Sequence, residues 1–291
     1  MTDLATIFGA PFMQQALIAL ALISVCAAVV GVALNLRELE FVSDGIVHAV
    51  FPGVVVGFLT ANLDGIYLGA VIAALIATVL LTIAAHRGVG EDATTAVLLS
   101  GSFAVGVVLI SRSTNYATGL EHLLFGQLLT IRPTDLITIA LLGGAALVTV
   151  GLTWKEQTFI SFDPEGARAA GLRLFAYELA LNLSIAAVVV AASRAVGNLL
   201  VLAMLIVPAA IGRLLSRRIE WIVSIAIVTA LGASVSGLML GYWLSVDARL
   251  SISPSAMLVL VLVGTYLVIA GGGALLMRLR RRTRPRAVTT P

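Results

Sequence analysis

Nine apolar runs, each close to the length of a membrane crossing, follow one another along the chain with only brief charged interruptions. They lie at about 14–34, 41–61, 65–85, 93–111, 134–153, 173–193, 197–216, 220–244 and 255–277. A helix needs about 20 predominantly apolar residues to cross the hydrocarbon core of a bilayer. Lipid offers the backbone no water, so each segment must pair its own N–H and C=O groups, which a helix does unaided. The runs lack the two-residue alternation of barrel strands. The sequence therefore predicts an all-α, polytopic integral membrane bundle of about nine transmembrane helices. Composition agrees, with 60% hydrophobic and 11% charged residues among 291. A soluble domain carries about 25% charged residues. The expected organisation is one transmembrane domain over 1–277 and a basic tail over 278–291. The first run is read as a retained span and not a signal peptide, because no Lys or Arg precedes it.

Orientation follows from the basic residues. With the C-terminus inside and nine crossings, 14 of the 18 Lys and Arg fall in inside segments. The other 4 are Arg112, Arg194, Arg249 and Arg132, all outside. Cytoplasmic loops carry the excess of Lys and Arg, so the N-terminus is expected outside. The net charge of +3 then describes a basic rim beside anionic lipid, not a nucleic-acid surface.

Several chemistries are excluded. The only lysine, Lys155, follows Thr-Trp, so no glycine-rich phosphate loop of the G-x-x-x-x-G-K-[ST] type exists. The three histidines, His48, His86 and His122, lie on different segments, and no nucleophile–His–acid set is suggested. The lone Cys26 sits inside an apolar run and reads as a small buried residue. The chain is not expected to be an enzyme. If ATP drives it, a partner chain hydrolyses the ATP.

The most informative stretch is Phe41-Val-Ser-Asp-Gly-Ile-Val-His-Ala-Val-Phe-Pro-Gly53. Asp44 and His48 stand four apart on an otherwise apolar span, which puts them on one helix face. Ionisable groups inside a membrane are costly and mark ion or substrate paths. A carboxylate with an imidazole suits a first-row divalent cation. Pro52 has no N–H, so the carbonyl of His48 loses its helical partner. Gly53 and Gly57 lie on roughly the opposite face, spaced for close packing on a neighbour. A plain Asp–His pair gluing helices together fits the same spacing. Two side chains are also too few to complete a metal shell.

This stretch resembles the second span of the zinc/manganese-type permeases of ABC importers, the ABC-3 family. Four further segments match that family in order: Ser100-Gly-Ser-Phe-Ala-Val-Gly-Val-Val-Leu109, Leu124-Phe-Gly126 with Pro133-Thr-Asp135, Phe162-Asp-Pro-Glu165 through Gly171-Leu172, and Leu200 through Pro208-Ala-Ala. The resemblance covers about 30–265. It implies a dimeric pore, built from two copies or two related chains. It also implies a cytoplasmic ABC ATPase, a metal-binding receptor outside, and a transient transport site at Asp44 and His48. Two copies of that pair facing one ion would fill its shell.

Residues 154–172 are expected as a cytoplasmic loop holding a short, isolated helix over about 164–170. Asp163 is a good N-cap, Pro164 fits the first helical position, and Gly171 can close the helix left-handed. Glu165 and Arg168 are its polar handles. By resemblance it is the element that couples to the ATPase; a plain amphipathic connector is the alternative. The outer segment 112–133 is expected to form a short outer or re-entrant helix. Its Glu121 and His122 are candidate outer-gate ligands, set against a solvated face. Arg112, Arg194 and Arg249 could meet receptor carboxylates or anchor helix ends. Pro208 frees the carbonyl of Met204, which makes Met204 a candidate pore residue, set against core packing. His86 reads as surface, and Gly237 with Gly241 as packing.

The leading reading is the permease subunit of an ATP-driven importer in a bacterial plasma membrane. Its cargo would be manganese, zinc or iron as a divalent ion, with no resident cofactor. The alternatives are an ion-coupled secondary metal transporter and an ABC permease for a metal chelate.

Overall fold

A computed structural model describes residues 10–111, 126–246 and 253–282, with backbone only at 62–64, 246 and 273–282. Among these residues the fold is entirely helical. In chain order the helices are α1 (Pro11–Leu36), α2 (Glu40–His86), α3 (Glu91–Ile110), α4 (Pro133–Leu152), α5 (Trp154–Phe162), α6 (Pro164–Ala169), α7 (Leu174–Leu215), α8 (Ile219–Val246) and α9 (Pro254–Arg282). A single 3-10 turn, Leu128–Thr130, precedes α4. Eight stretches among the described residues are long and apolar enough to cross a membrane. Two of them, Glu40–Ala61 and Gly65–His86, are the halves of α2.

Both long helices fold back on themselves. In α2 a Cβ on Gly53 would lie 2.3 Å from the carbonyl oxygen of Gly69, and one on Gly57 would lie 2.2 Å from that of Gly65. The residue numbers rise on one half as they fall on the other, so the halves are antiparallel. Only glycine permits that backbone approach. The expected packing role of Gly53 and Gly57 is met within the same chain.

Helix α7 counts as one apolar stretch of 42 residues. As a straight helix it would be about 63 Å long, twice a hydrocarbon core. Its two ends nevertheless meet the same place. Arg37, just past α1, pairs with Glu178 near the start of α7, and Arg213 near its end donates to the carbonyl of Asn35. The break is Gly197, with φ 77° and ψ 162°. The runs expected at 173–193 and 197–216 are therefore two antiparallel arms, α7a and α7b, on either side of Gly197. Counted this way, the described helices make the nine expected crossings.

The arms of α7 form the centre of the bundle. They pack against α1, α2, α4, α8 and α9, whereas α3 packs on α2. Ala, Val, Ile and Leu fill the core, and Gly31 lets α1 approach the backbone of Leu205 in α7b. Gly237 of α8 sits against Leu258 of α9, as its spacing suggested. A buried hydrogen bond of 2.9 Å joins the hydroxyls of Ser24 and Ser234.

Two polar clusters mark opposite ends of the bundle. At one end Arg194 pairs with Asp135, whose other oxygen accepts from the backbone N–H of Arg132. At the other end Arg37 and His86 both pair with Glu178. His86 is exposed, as expected, and its side chain is also engaged. Its ring also meets Phe175 edge-on at 5.0 Å.

The loop region departs from expectation in one respect. The short helix does not stand alone, because α5 precedes it directly. The polar run Lys155-Glu-Gln157 carries no apolar signal, yet it lies on that nine-residue helix. Gln157 is buried there, bonded to Arg37 and to the carbonyl of Tyr177.

Candidate functional site

Asp44 and His48 lie on the first half of α2, one turn apart. His48 Nε2 is 3.4 Å from Asp44 Oδ1, and both side chains are about one-quarter exposed at 26% and 27%. The pair borders the valley between α2 and α3. Phe103 of α3 meets the His48 ring edge-on at 5.7 Å and stacks on Phe51 at 5.6 Å. Beside it Ser100, Gly101 and Val105 are exposed, and a Cβ on Gly101 would touch nothing within 4 Å. The carboxylate and imidazole are thus partly exposed among the described residues, while the glycine face of the same half-helix is closed against its own hairpin partner. Pro52, one turn beyond His48, leaves the His48 carbonyl without a helical N–H partner.

Asp44 and His48 form a pair and not a larger cluster among the described residues. Among the described residues no group of three or more His, Cys, Asp or Glu is placed to hold a metal ion. A divalent ion at Asp44 and His48 would need further ligands from waters, backbone oxygens or another chain.

The other expected residues fall in different places. Met204 is fully buried in the bundle core, and no surface of it faces a pore in this chain. Pro208 is buried beside it in α7b. Glu121 and His122 lie outside the described residues. Arg194, considered as a receptor contact, is held internally. Its Nη1 donates to Asp135 Oδ1 at 2.6 Å, and its guanidinium lies over the Tyr67 ring at 5.9 Å.

The short helix follows its sequence signals closely. The Asp163 carboxylate accepts from the N–H of Gly166 at 2.8 Å, and Pro164 occupies the first position. At the far end Gly171 adopts φ 83°. Its N–H donates to Arg168 O at 3.0 Å, and that of Leu172 donates to Ala167 O at 3.1 Å. These two bonds make a Schellman closure. Asp163, Pro164, Glu165, Arg168 and Gly171 are exposed at the Arg37 end of the bundle, beside the exposed ring of Phe162.

Sequence reasoning missed Asp135, Gln157 and Glu178 as organising residues. Their partners stand 59, 120 and 141 residues away along the chain. Nothing local in the sequence marks these pairings.

The fold and the polar pair define a multi-pass helical membrane protein with a helical hairpin that carries a carboxylate and an imidazole on a candidate membrane span. Comparison with known proteins narrows this class. The chain belongs to the ABC 3 transport family, whose family model matches residues 9–271. It is 33% identical over 242 residues to the manganese import system permease protein ScaB of Streptococcus gordonii, covering 83% of this chain and 86% of that one. It is also 33% identical over 240 residues to the chelated iron transport system membrane protein YfeD of Yersinia pestis, covering 81% and 78%. The solved structure of PsaBC from Streptococcus pneumoniae in complex with Fab superposes with a TM-score of 0.79 at 28% identity, covering 91% of this chain and 93% of that one.

Proposed function

We propose that this chain is the permease subunit of an ATP-driven importer, and that it carries a divalent transition metal ion through a transient site at Asp44 and His48. The observation that carries the reading is the pair itself. An acid and an imidazole 3.4 Å apart, one turn before Pro52 and beside the His48 carbonyl that it frees, sit on a face that the described residues leave partly exposed. A second copy, or a related chain, would cover that face and bring the missing ligands. Two carboxylates would then balance a divalent charge. Manganese suits the hard oxygens, zinc the imidazole, and iron either. The manganese and iron names of the relatives fit this range.

The remaining roles follow from where the parts lie. The Arg37 end of the bundle, with the loop 154–172, is proposed to face the cytoplasm, with the N-terminus outside and the C-terminus inside. The excess of Lys and Arg at that end supports this orientation. The exposed helix Pro164–Ala169 would dock on a separate ABC ATPase, with Glu165 and Arg168 at the contact. ATP would bind to that partner and not to this chain. The Arg194 end, with the segment 112–133 and its Glu121 and His122, would meet an external metal-binding receptor. Met204 is not assigned to the pore. The basic tail 278–291 would lie against the inner leaflet.

The test is metal accumulation in cells carrying the full system, comparing wild type with Asp44→Ala and His48→Ala at matched membrane levels. Loss of uptake with the ATPase still associated supports the site. Normal uptake in both variants would overturn it. The metal that stops accumulating identifies the cargo. Strict dependence of uptake on the ATPase separates this reading from an ion-coupled secondary transporter.

A further inference from the structure

We propose that Glu178 is a positioning residue of the transport cycle: it links the loop bearing the short helix α6 to the hairpin bearing Asp44 and His48. The proposal rests on the importer reading above. Its warrant is a continuous set of contacts at the Arg37 end of the bundle.

Helices α5, α6 and α7 are contiguous in the chain, so anything that shifts α6 pulls on both neighbours. Both neighbours are tied to one guanidinium. Arg37 reaches Gln157 Oε1 on α5 at 3.1 Å and Glu178 Oε1 on α7a at 3.2 Å. The second oxygen of Glu178 is 3.1 Å from His86 Nδ1, at the end of α2. The Arg37 and Glu178 side chains are only 10% and 20% exposed, which strengthens a charge pair over one in open water. One turn further in, Asn182 of α7a donates to the hydroxyl of Thr82 of α2 at 3.2 Å. The second half of α2 therefore meets α7a at two successive turns through polar contacts, which are directional where apolar packing is not.

The hairpin completes the path. The second half of α2 is locked to the first by the Gly53–Gly69 and Gly57–Gly65 backbone contacts. Close-packed backbones move together, so displacement of residues 82–86 carries the half-helix that holds Asp44 and His48. Glu178 touches both Arg37, just past α1, and His86, at the end of α2. A small neighbouring cavity is lined by Glu178, Asn182, Glu91 and Thr95.

The test uses the permease reconstituted in liposomes with its ATPase and receptor partners, and Mn²⁺ as the probe. The readout is Mn²⁺ carried per ATP hydrolysed, measured with co-purification of the ATPase. Glu178→Gln is expected to lower the ratio about fivefold or more, the range of a typical coupling free energy, with ATP hydrolysis and co-purification retained. Glu178→Asp, which keeps the charge, should recover most of the ratio. Arg37→Lys, which keeps a cation but loses the two-sided fork, should fall between. An unchanged ratio in Glu178→Gln, or a loss that tracks loss of the ATPase, overturns the proposal. A second measurement is independent of cargo and separates failure of the link from failure of the importer reading. Amide hydrogen exchange over residues 78–87 should respond to ATP binding by the partner in the wild-type complex and not in Glu178→Gln. Equal responses, or none in the wild type, overturn the link even if Mn²⁺ is not the cargo.

Discussion

Arg194 Nη1 lies 2.6 Å from Asp135 Oδ1, and the two charged side chains are 10% and 3% exposed where α7 breaks and α4 begins. Tyr67 adds a hydroxyl donor at 3.3 Å, and the Arg132 N–H caps the other oxygen at 2.9 Å. The pair thus fixes the start of α4 and the last turn of α7a in one contact. Next to it, the positive-φ residues Gly126 and Gly197 bring their backbones together, and Gln127 N–H donates to Arg194 O at 3.2 Å. Breaking a buried pair from one side leaves an uncompensated charge, at about 3–5 kcal/mol. Asp135→Asn and Arg194→Gln are each expected to lower the thermal unfolding midpoint markedly in detergent. The double variant should lose less than the two single losses added together. Purely additive losses would mean the two charges act independently.

The α2 hairpin gives a second prediction with its own control. A methyl group at Gly53 meets the carbonyl oxygen of Gly69 at 2.3 Å and the Ala73 side chain at 2.5 Å. Neither the backbone nor a methyl can rotate away. Gly53→Ala should cost about 1–3 kcal/mol, the usual range for overpacking. Gly144 lies in α4 with open space around its Cβ position, so Gly144→Ala should be neutral or stabilise by up to about 1 kcal/mol. Thermal stability of the two purified variants checks both signs. Equal effects would mean that the hairpin does not pack this closely.

How much of this was legible in the sequence depends on how local each signal is. The crossings were legible because each is a run of apolar residues ended by charge or glycine, which needs no knowledge of the rest of the chain. The cap at Asp163 and the left-handed close at Gly171 were legible for the same reason. The Asp44–His48 face was legible because helical geometry alone fixes a four-residue spacing. The pairings were not. Arg194 could be read as an outward-facing arginine until the fold brought Asp135 to it. Glu178 carried no signal beyond being a carboxylate in the first turns of an apolar run. Helix α5 was missed because Lys155, Glu156 and Gln157 break its apolar pattern. It is held instead by Gln157, through bonds to Arg37 and Tyr177 that only the tertiary fold supplies.

Removing the charge at Asp44 should separate ion handling from folding. Asp44 is about one-quarter exposed and contacts the His48 imidazole, so Asp44→Asn breaks no buried network. The variant is expected to insert, retain its ATPase and unfold near the wild-type temperature while metal uptake falls at least tenfold. A tenfold loss corresponds to about 1.4 kcal/mol, well within what one carboxylate contributes to holding a divalent ion. Radioactive manganese uptake at matched membrane levels reads the first effect and thermal unfolding the second. Full uptake in Asp44→Asn would place the ion path elsewhere.

The short helix offers a test that distinguishes its shape from its surface. Asp163→Ala removes the bond to the Gly166 N–H, and loss of such a cap costs about 0.5–2 kcal/mol. Because the element has only six residues, that loss should loosen it and weaken ATPase binding in part. Glu165→Arg leaves the cap and the Schellman closure intact and reverses one exposed charge. If the helix docks through that charge, this variant should lose the ATPase in co-purification more completely than Asp163→Ala while remaining in the membrane. Hydrogen exchange over residues 164–170 should then be fast in Asp163→Ala and unchanged in Glu165→Arg. Retention of the ATPase by Glu165→Arg would move the docking contact to the neighbouring apolar rings of Phe159, Phe162 and Phe175. These are 41%, 70% and 40% exposed at the same end.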